Sequence, residues 1–202
     1  MKLNSLRDVF VESVRDLYNA ETQLIKALPK MAKAASSEDL REAFEEHLEQ
    51  TRGQLERLDQ ICEQLGIKAK GKTCQAMKGL IEEAQEILAA DGDPAAKDAA
   101  IIGAAQKVEH YEIAGYGTVR TFAELLGEDE AARLLQETLD EEEAADERLT
   151  EVAESGLNQE ASDEDEDEGE EETSTAGARS GGKTARGSSG KGNGKSRTAK
   201  SR

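Results

Sequence analysis

Over residues 1–157, apolar side chains recur at steps of three and four in four long runs, and the breaks between the runs are unequal in length. Steps of three and four mark one face of an α-helix. Good helix formers (Ala, Glu, Leu, Gln, Lys) fill the other positions, and Gly and Pro gather at the breaks. Four long helices are therefore predicted. The first covers residues 5–35, with Leu6, Phe10, Val14, Leu17, Leu24, Leu28 and Met31 on its stripe. Pro29 falls inside it and is expected to kink or tighten it. The second covers 38–65, with Leu40, Phe44, His47, Thr51, Leu55, Leu58, Cys62 and Leu65 in line; Ser36, with Asp39 three residues on, resembles its capping start. The third covers 95–126, with Ile101, Ala105, Val108, Glu112, Tyr116, Val119 and Leu126. The fourth covers 128–155, with Ala131, Leu135, Thr138, Glu142, Ala145, Leu149 and Val152.

The joins decide the topology. The first and third are two or three residues long, which forces antiparallel hairpins. The middle connection, residues 66–94, holds a polar loop and a short amphipathic helix at about 73–90. It is long enough to travel back along helices of about 42–48 Å. The third helix can then run parallel to the second. Two hairpins joined by one long crossover give an all-α, ferritin-like four-helix bundle. An up-down-up-down bundle, the alternative, has no need of that connection.

The core stops with these runs. From Ser162 onward there is no Val, Ile, Leu, Met or aromatic residue, so no core can form there. The folded domain is expected over 1–157. Residues 158–202 form a low-complexity tail expected to be disordered, acidic over 160–172 and basic over 179–202. Residues 1–157 hold 18 Lys and Arg against 34 Asp and Glu. So acidic a domain should not grip nucleic acid or an anionic membrane through its own surface. The basic end could touch nucleic acid by counterion release. It has no aromatic residues for stacking, and the acidic block beside it can neutralise it, so solubility or internal charge pairing is the simpler expectation. No apolar signal region and no stretch near the roughly 18 apolar residues of a membrane span is present. A cytoplasmic, thiol-reducing setting is expected, with no disulfide between Cys62 and Cys74. Cys62 reads as core and Cys74 as a helix-start residue; their spacing fits no redox motif.

Polar residues interrupt all four apolar stripes near the helix midpoints. Glu21 lies between Leu17 and Leu24, and His47 has Gln50 and Thr51 one turn on. Glu112 follows Glu109 by one turn, and Glu142 precedes Asp146 by one turn, with Glu143 beside it. Midpoints meet in an aligned bundle whichever way each helix runs. Glu21, His47, Glu112 and Glu142 are therefore the leading candidate metal ligands, with Glu109, Gln50, Asp146 and Glu143 as further candidates. Several carboxylates buried together without a cation are costly unless they protonate. Bridging carboxylates with imidazole suit iron or manganese. A solvated face is the plain alternative for any one Glu in so acidic a chain, and a hydrogen-bonded core histidine is the plain alternative for His47. Tyr18, Tyr111 and Tyr116 read as packing residues, with donation to the acids as the other possibility. Gly115 and Gly117 could permit a close helix approach or a subunit contact.

Several segments resemble the YciE/YciF branch of the ferritin-like superfamily. They are Asp16 through Glu21, Phe44 through Thr51, Glu109 through Thr118, and Thr138 through Leu149. The resemblance spans roughly residues 4–155. It implies a ferritin-like bundle linked to bacterial stress response, a homodimer, and a dinuclear metal site of iron or manganese. It implies no defined reaction; any activity would be of the metal-dependent oxidoreductase type, toward oxygen or peroxide. The chain departs from the wider superfamily, where Glu-x-x-His stands on two helices. Phe44 precedes His47 at that spacing, Glu143 precedes Asp146, and His110 should face outward. A metal-free helical interaction module, or a nucleic-acid-associated protein acting through its tail, are the competing functions.

Overall fold

The computed structural model describes residues 3–69, 72–159 and 161–162. The predicted acidic and basic tail lies outside the described residues.

Each helix begins and ends where local chemistry satisfies its free backbone groups. Helix α1 (Leu6–Ala34) starts with a reciprocal cap: the Ser5 hydroxyl accepts from the Asp8 amide at 3.2 Å, and the Asp8 carboxylate accepts from the Ser5 amide at 3.1 Å. Pro29 sits on an exposed flank, and α1 continues past it to Ala34. Helix α2 (Glu38–Gln64) is capped by Ser37, one residue later than the Ser36 expected from sequence. Ser36 is engaged elsewhere: its amide, and that of Ser37, donate to the Asp98 carboxylate at 2.7–3.1 Å. Helix α3 (Gln75–Ala89) starts at Cys74 and lies within the long connection. Helix α4 (Pro94–Leu126) has Asp93 as its cap and Pro94 in the first turn, and it ends at Gly127 with φ 71°. Helix α5 (Asp129–Val152) opens into a wide turn at Ala153–Leu157, where Gly156 takes φ 131°. This is earlier than the predicted end at residue 155. The widening lets Leu157 fold back onto the core, where it is buried.

The four long helices form a square. Helices α1 and α2 pair, α4 and α5 pair, α1 packs on α4, and α2 packs on α5. Helix α3 lies against α1 and α4. The crossover runs back along the bundle. Arg15, near the start of α1, donates to the Lys68 carbonyl at 3.0 Å. Asn19 then accepts from the Cys74 amide at 2.7 Å, and Lys97 donates to the Leu88 carbonyl at 2.8 Å at the far end of α3. Contacts of Asp98 with the α1–α2 turn fix α4 antiparallel to α1. The ferritin-like connectivity expected from the joins is the one observed.

The apolar core is divided in two. One half contains Leu24, Leu28, Met31, Leu40, Phe44, Ile101 and Leu149; the other contains Phe10, Val14, Leu17, Leu58, Ile61, Tyr116 and Leu135. Between them lies a layer of buried polar groups. Gly115 allows α1 and α4 to come close beside that layer: a Cβ there would lie 3.0 Å from the Leu17 side chain. In α2 the inward face is turned slightly from the predicted stripe. Leu55 is half-buried and Gln54 is fully buried in its stead, reaching Glu141 on α5 at 3.2 Å.

Asp98 closes one end of the bundle and gives the first prediction. It is 2 % exposed and its carboxylate takes up the two amides of the α1–α2 turn. Asp98→Ala leaves those donors without their partner, at about 1–3 kcal/mol for each buried group lost. A loss of about 2–4 kcal/mol in urea unfolding is expected, with metal content unchanged.

Candidate metal centre

The polar layer draws one or two groups from each long helix. Helix α1 brings Glu21, α2 brings His47, α4 brings Glu109 and Glu112 one turn apart, and α5 brings Glu142. Glu21, Glu112 and Glu142 are fully buried, Glu109 is 3 % exposed and His47 is 5 % exposed. His47 Nε2 lies 3.5 Å from Glu109 Oε2 and 3.8 Å from Glu142 Oε2. One ligand atom from each of His47, Glu109, Glu112 and Glu142 can be chosen so that all four lie within 4.8 Å of one another. First-row cations bond nitrogen and oxygen at about 2.0–2.2 Å, so donors on one ion stand at most about 4.4 Å apart. The four groups are therefore within a few tenths of an ångström of shared coordination. Glu21 borders this set, within hydrogen-bonding reach of Glu112 and within the field of Glu142 and His47.

The donor atoms fit a cation, or protons shared between neighbouring carboxyls. Glu21 Oε2, His47 Nε2, Glu109 Oε2 and both carboxylate oxygens of Glu112 and of Glu142 are buried with no hydrogen-bond partner. Ionised carboxylates only accept; where one of a pair holds a proton, Glu21 pairs with Glu112 and Glu109 with Glu142. Burial is the first cause that raises these acids, and mutual repulsion adds to it. Glu21 is pushed up to about 8, with Glu142 the leading charge against it. Glu109 is pushed up to about 7 by burial, with Glu21 and Asp146 contributing. Glu112 and Glu142 are raised well above the usual carboxylate range. Without a cation, burial and mutual repulsion draw these groups toward their protonated forms; with one they can ionise.

Outer groups set the orientation of the inner ones. Gln50 Oε1 lies 3.2 Å from His47 Nδ1. With the proton on Nδ1 donated to that oxygen, Nε2 presents its lone pair to the acids. The Thr51 hydroxyl donates to the His47 carbonyl at 2.7 Å, in the turn that carries the imidazole. Arg57 forks onto Glu141 at 2.8 and 2.5 Å, tying α2 to α5 next to Glu142. Tyr116, fully buried one turn beyond Glu112, donates its hydroxyl to Glu21 Oε1.

The remaining sequence candidates fall outside the close set. Gln50 is a partner of His47. Asp146 is half-buried, with Oδ1 3.5 Å from Nε2 of His110. Glu143 is exposed, because α5 turns it away from the layer that Glu142 enters. His110 is 68 % exposed, as its angle from Glu112 requires. Glu109, a secondary candidate in the sequence, stands in the close set because it lies one turn before Glu112 on the inward face. Tyr116 donates to an acid, whereas packing was the simpler expectation; its place on the stripe after Glu112 was the available signal. Tyr111 is bonded to Asp16 at 2.8 Å and Cys74 at 2.9 Å, away from this layer. Cys62 and Cys74 are both free and buried. Burial raises the Cys62 thiol to about 11 and raises Cys74 as well, so neither is a reactive thiolate at neutral pH.

Tyr116→Phe tests the outer shell. It removes one hydroxyl, keeps the packing, and strips Glu21 of its donor. Loss of an outer partner lowers metal affinity by about 10–100-fold. Titration of the metal-free protein with manganese measures that shift; an unchanged affinity would show that Glu21 is held by other means.

The family described as "Domain of unknown function (DUF892)" matches residues 5–162. Protein YciF of Escherichia coli strain K12 is 51% identical over 162 residues, which cover 80% of this chain and 98% of that protein. Among solved structures, the E. coli stress protein YciF aligns with a TM-score of 0.75 over 77% of this chain and 99% of that one. A putative structural protein from Rhodopseudomonas palustris aligns with a TM-score of 0.72 at 46% identity, over 74% of this chain and 95% of that one. A protein from Xanthomonas campestris shares the fold alone, at 22% identity and a TM-score of 0.64 over 80% of this chain and 99% of that one. No helix among the described residues is long and apolar enough to cross a membrane.

Proposed function

Because the chain belongs to the DUF892 family and has E. coli YciF as a relative, we propose that it is a ferritin-like metal-binding protein holding a dinuclear centre of iron or manganese at mid-bundle. One observation carries the reading: five inward groups from four helices, with seven of their donor atoms buried and unpartnered, in a layer that splits the apolar core. Glu21, Glu109, Glu112 and Glu142, when ionised, bring four negative charges to that layer. Two divalent cations match that charge, and one leaves half of it unbalanced. Oxygen-rich ligands with one imidazole favour iron or manganese over softer ions.

His47 presents Nε2, with its tautomer held through Gln50. Glu112 and Glu142 lie in the field of the other acids and would hold the metal together with them. Tyr116 holds Glu21 in place. The two apolar half-cores above and below limit water in the layer. A bound metal pair would supply redox chemistry toward oxygen or peroxide. The E. coli relative is described as a stress protein, which supports a role in bacterial stress response for this chain too. A cytoplasmic setting agrees with its two unpaired, buried cysteines.

Elemental analysis of the full chain purified without chelator tests the proposal. About two iron or manganese ions per chain are expected from the charge balance. A chain that stays free of metal after incubation with either ion under reducing conditions would leave an ordinary helical scaffold.

A further inference from the structure

Beside the metal layer, helices α2 and α5 part to leave a cavity of about 160 Å³. Its floor is made by two members of the layer, His47 and Glu109. Its walls are apolar: Phe44 and Ala43 from α2, and Ala145 and Leu149 from α5. Phe44 and Leu149 are 2 % and 4 % exposed, so the cavity reaches into the core and is no surface dent. Gln50 and the exposed Glu46 on α2, and the exposed Arg148 on α5, also line it.

We propose that this cavity binds a small, uncharged, mainly apolar organic molecule, of the size of one six-membered ring with small substituents, beside His47 and Glu109. Size sets the scale: an apolar cavity of about 150 Å³ holds one benzene. The volume is several times what a diatomic gas needs, so a channel for oxygen alone would not require it. Charge sets the class. An anion would meet two acids in the lining, Glu46 and Glu109, against a single cation, Arg148. A cation would lose its hydration against Phe44, Ala145 and Leu149. A neutral ring loses little and gains contact with apolar walls. The alanines at 43 and 145 make the space, because any larger side chain at either position would enter it. The chemical purpose of the cavity rests on the metal-centre reading above, whereas occupancy does not.

The test uses the full chain and two probes, 4-fluorophenol and 4-fluorobenzoate, followed by fluorine NMR. The phenol is neutral at pH 7 and the benzoate is charged. Saturable binding of the phenol is expected, with the benzoate at least tenfold weaker. Ala145→Leu fills the cavity from α5 and lowers phenol affinity at least tenfold. Ala43→Leu fills it from α2 and does the same, so loss of fold in one variant leaves the other to decide. Manganese content is measured in every protein. Phenol binding lost in the leucine variants, with manganese retained, supports the proposal and the metal reading together. Phenol binding lost with no manganese in any protein supports the cavity and removes the metal reading. Absence of phenol binding to the unsubstituted chain, equal binding of both probes, or equal affinity in the folded leucine variants overturns the proposal.

Discussion

Glu112→Gln is expected to remove bound metal and, in the same protein, to raise the stability of the metal-free bundle at pH 8. Glu112 is fully buried and both of its oxygens are unpartnered. The amide keeps its shape and loses its charge. Metal affinity should fall by more than the roughly 10–100-fold typical of outer-shell changes, because Glu112 would be bonded to the ion itself. The metal-free protein responds in the opposite sense. Burial holds the Glu112 carboxyl far above its ordinary value, with Glu21 the leading charge against it. Keeping it protonated costs about 1.4 kcal/mol for every pH unit above the ordinary value. Glutamine carries no such cost, and its amide hydrogens can reach neighbouring acids. Chelator-treated Glu112→Gln should melt several degrees above chelator-treated parent at pH 8, and within a degree or two of it at pH 5. Metal content equal to the parent's would remove Glu112 from the ligand set.

The second large effect is the pH dependence of the parent chain with and without metal. Glu21 and Glu109 are raised by burial to about 8 and about 7, and Glu112 and Glu142 also move upward. In the unfolded chain a Glu titrates near about 4.3. Between that value and the folded values, the folded protein binds more protons than the unfolded one. The slope of unfolding free energy with pH is then negative. The metal-free bundle should therefore be most stable near pH 5 and lose stability steadily toward pH 8. Metal reverses the trend, because protons compete for the same oxygens and competition fades as pH rises. At a free ion concentration of about a thousand times Kd, binding adds about 4 kcal/mol. For a folded unit of this size that is about 8–16 °C in Tm. Calorimetry at pH 5, 6.5 and 8, with chelator and with manganese, reads both trends. Parallel melting curves in the two series would mean that the buried acids and the metal are not linked.

The bundle was legible because two independent features of the sequence agree. Four runs of helical period define the rods, and unequal joins define how they connect. Caps were less legible. Ser36 and Ser37 offer the same hydroxyl one residue apart, and the choice falls to Ser37 only because Asp98, more than sixty residues on, takes both amides. That contact has no local signal. The core site was legible where an acid sits between apolar neighbours on one stripe, as Glu21 and Glu112 do. It was ambiguous on α5, where Glu141, Glu142 and Glu143 are consecutive and only register separates them: Glu142 points inward, Glu141 meets Arg57, and Glu143 meets solvent. Gln54 was hidden for the same reason, because a small turn of α2 exchanges it with Leu55. The bond from Tyr116 to Glu21 joins two helices and could not be read from either alone.

A crystal of the full chain soaked in manganese, with anomalous data recorded near the manganese edge, tests the central claim most directly. Two peaks are expected inside the layer, ringed by oxygens of Glu21, Glu109, Glu112 and Glu142 and by His47 Nε2. A fully soaked crystal with no peak in that layer, and with the four acids bonded to water or to one another, would contradict it.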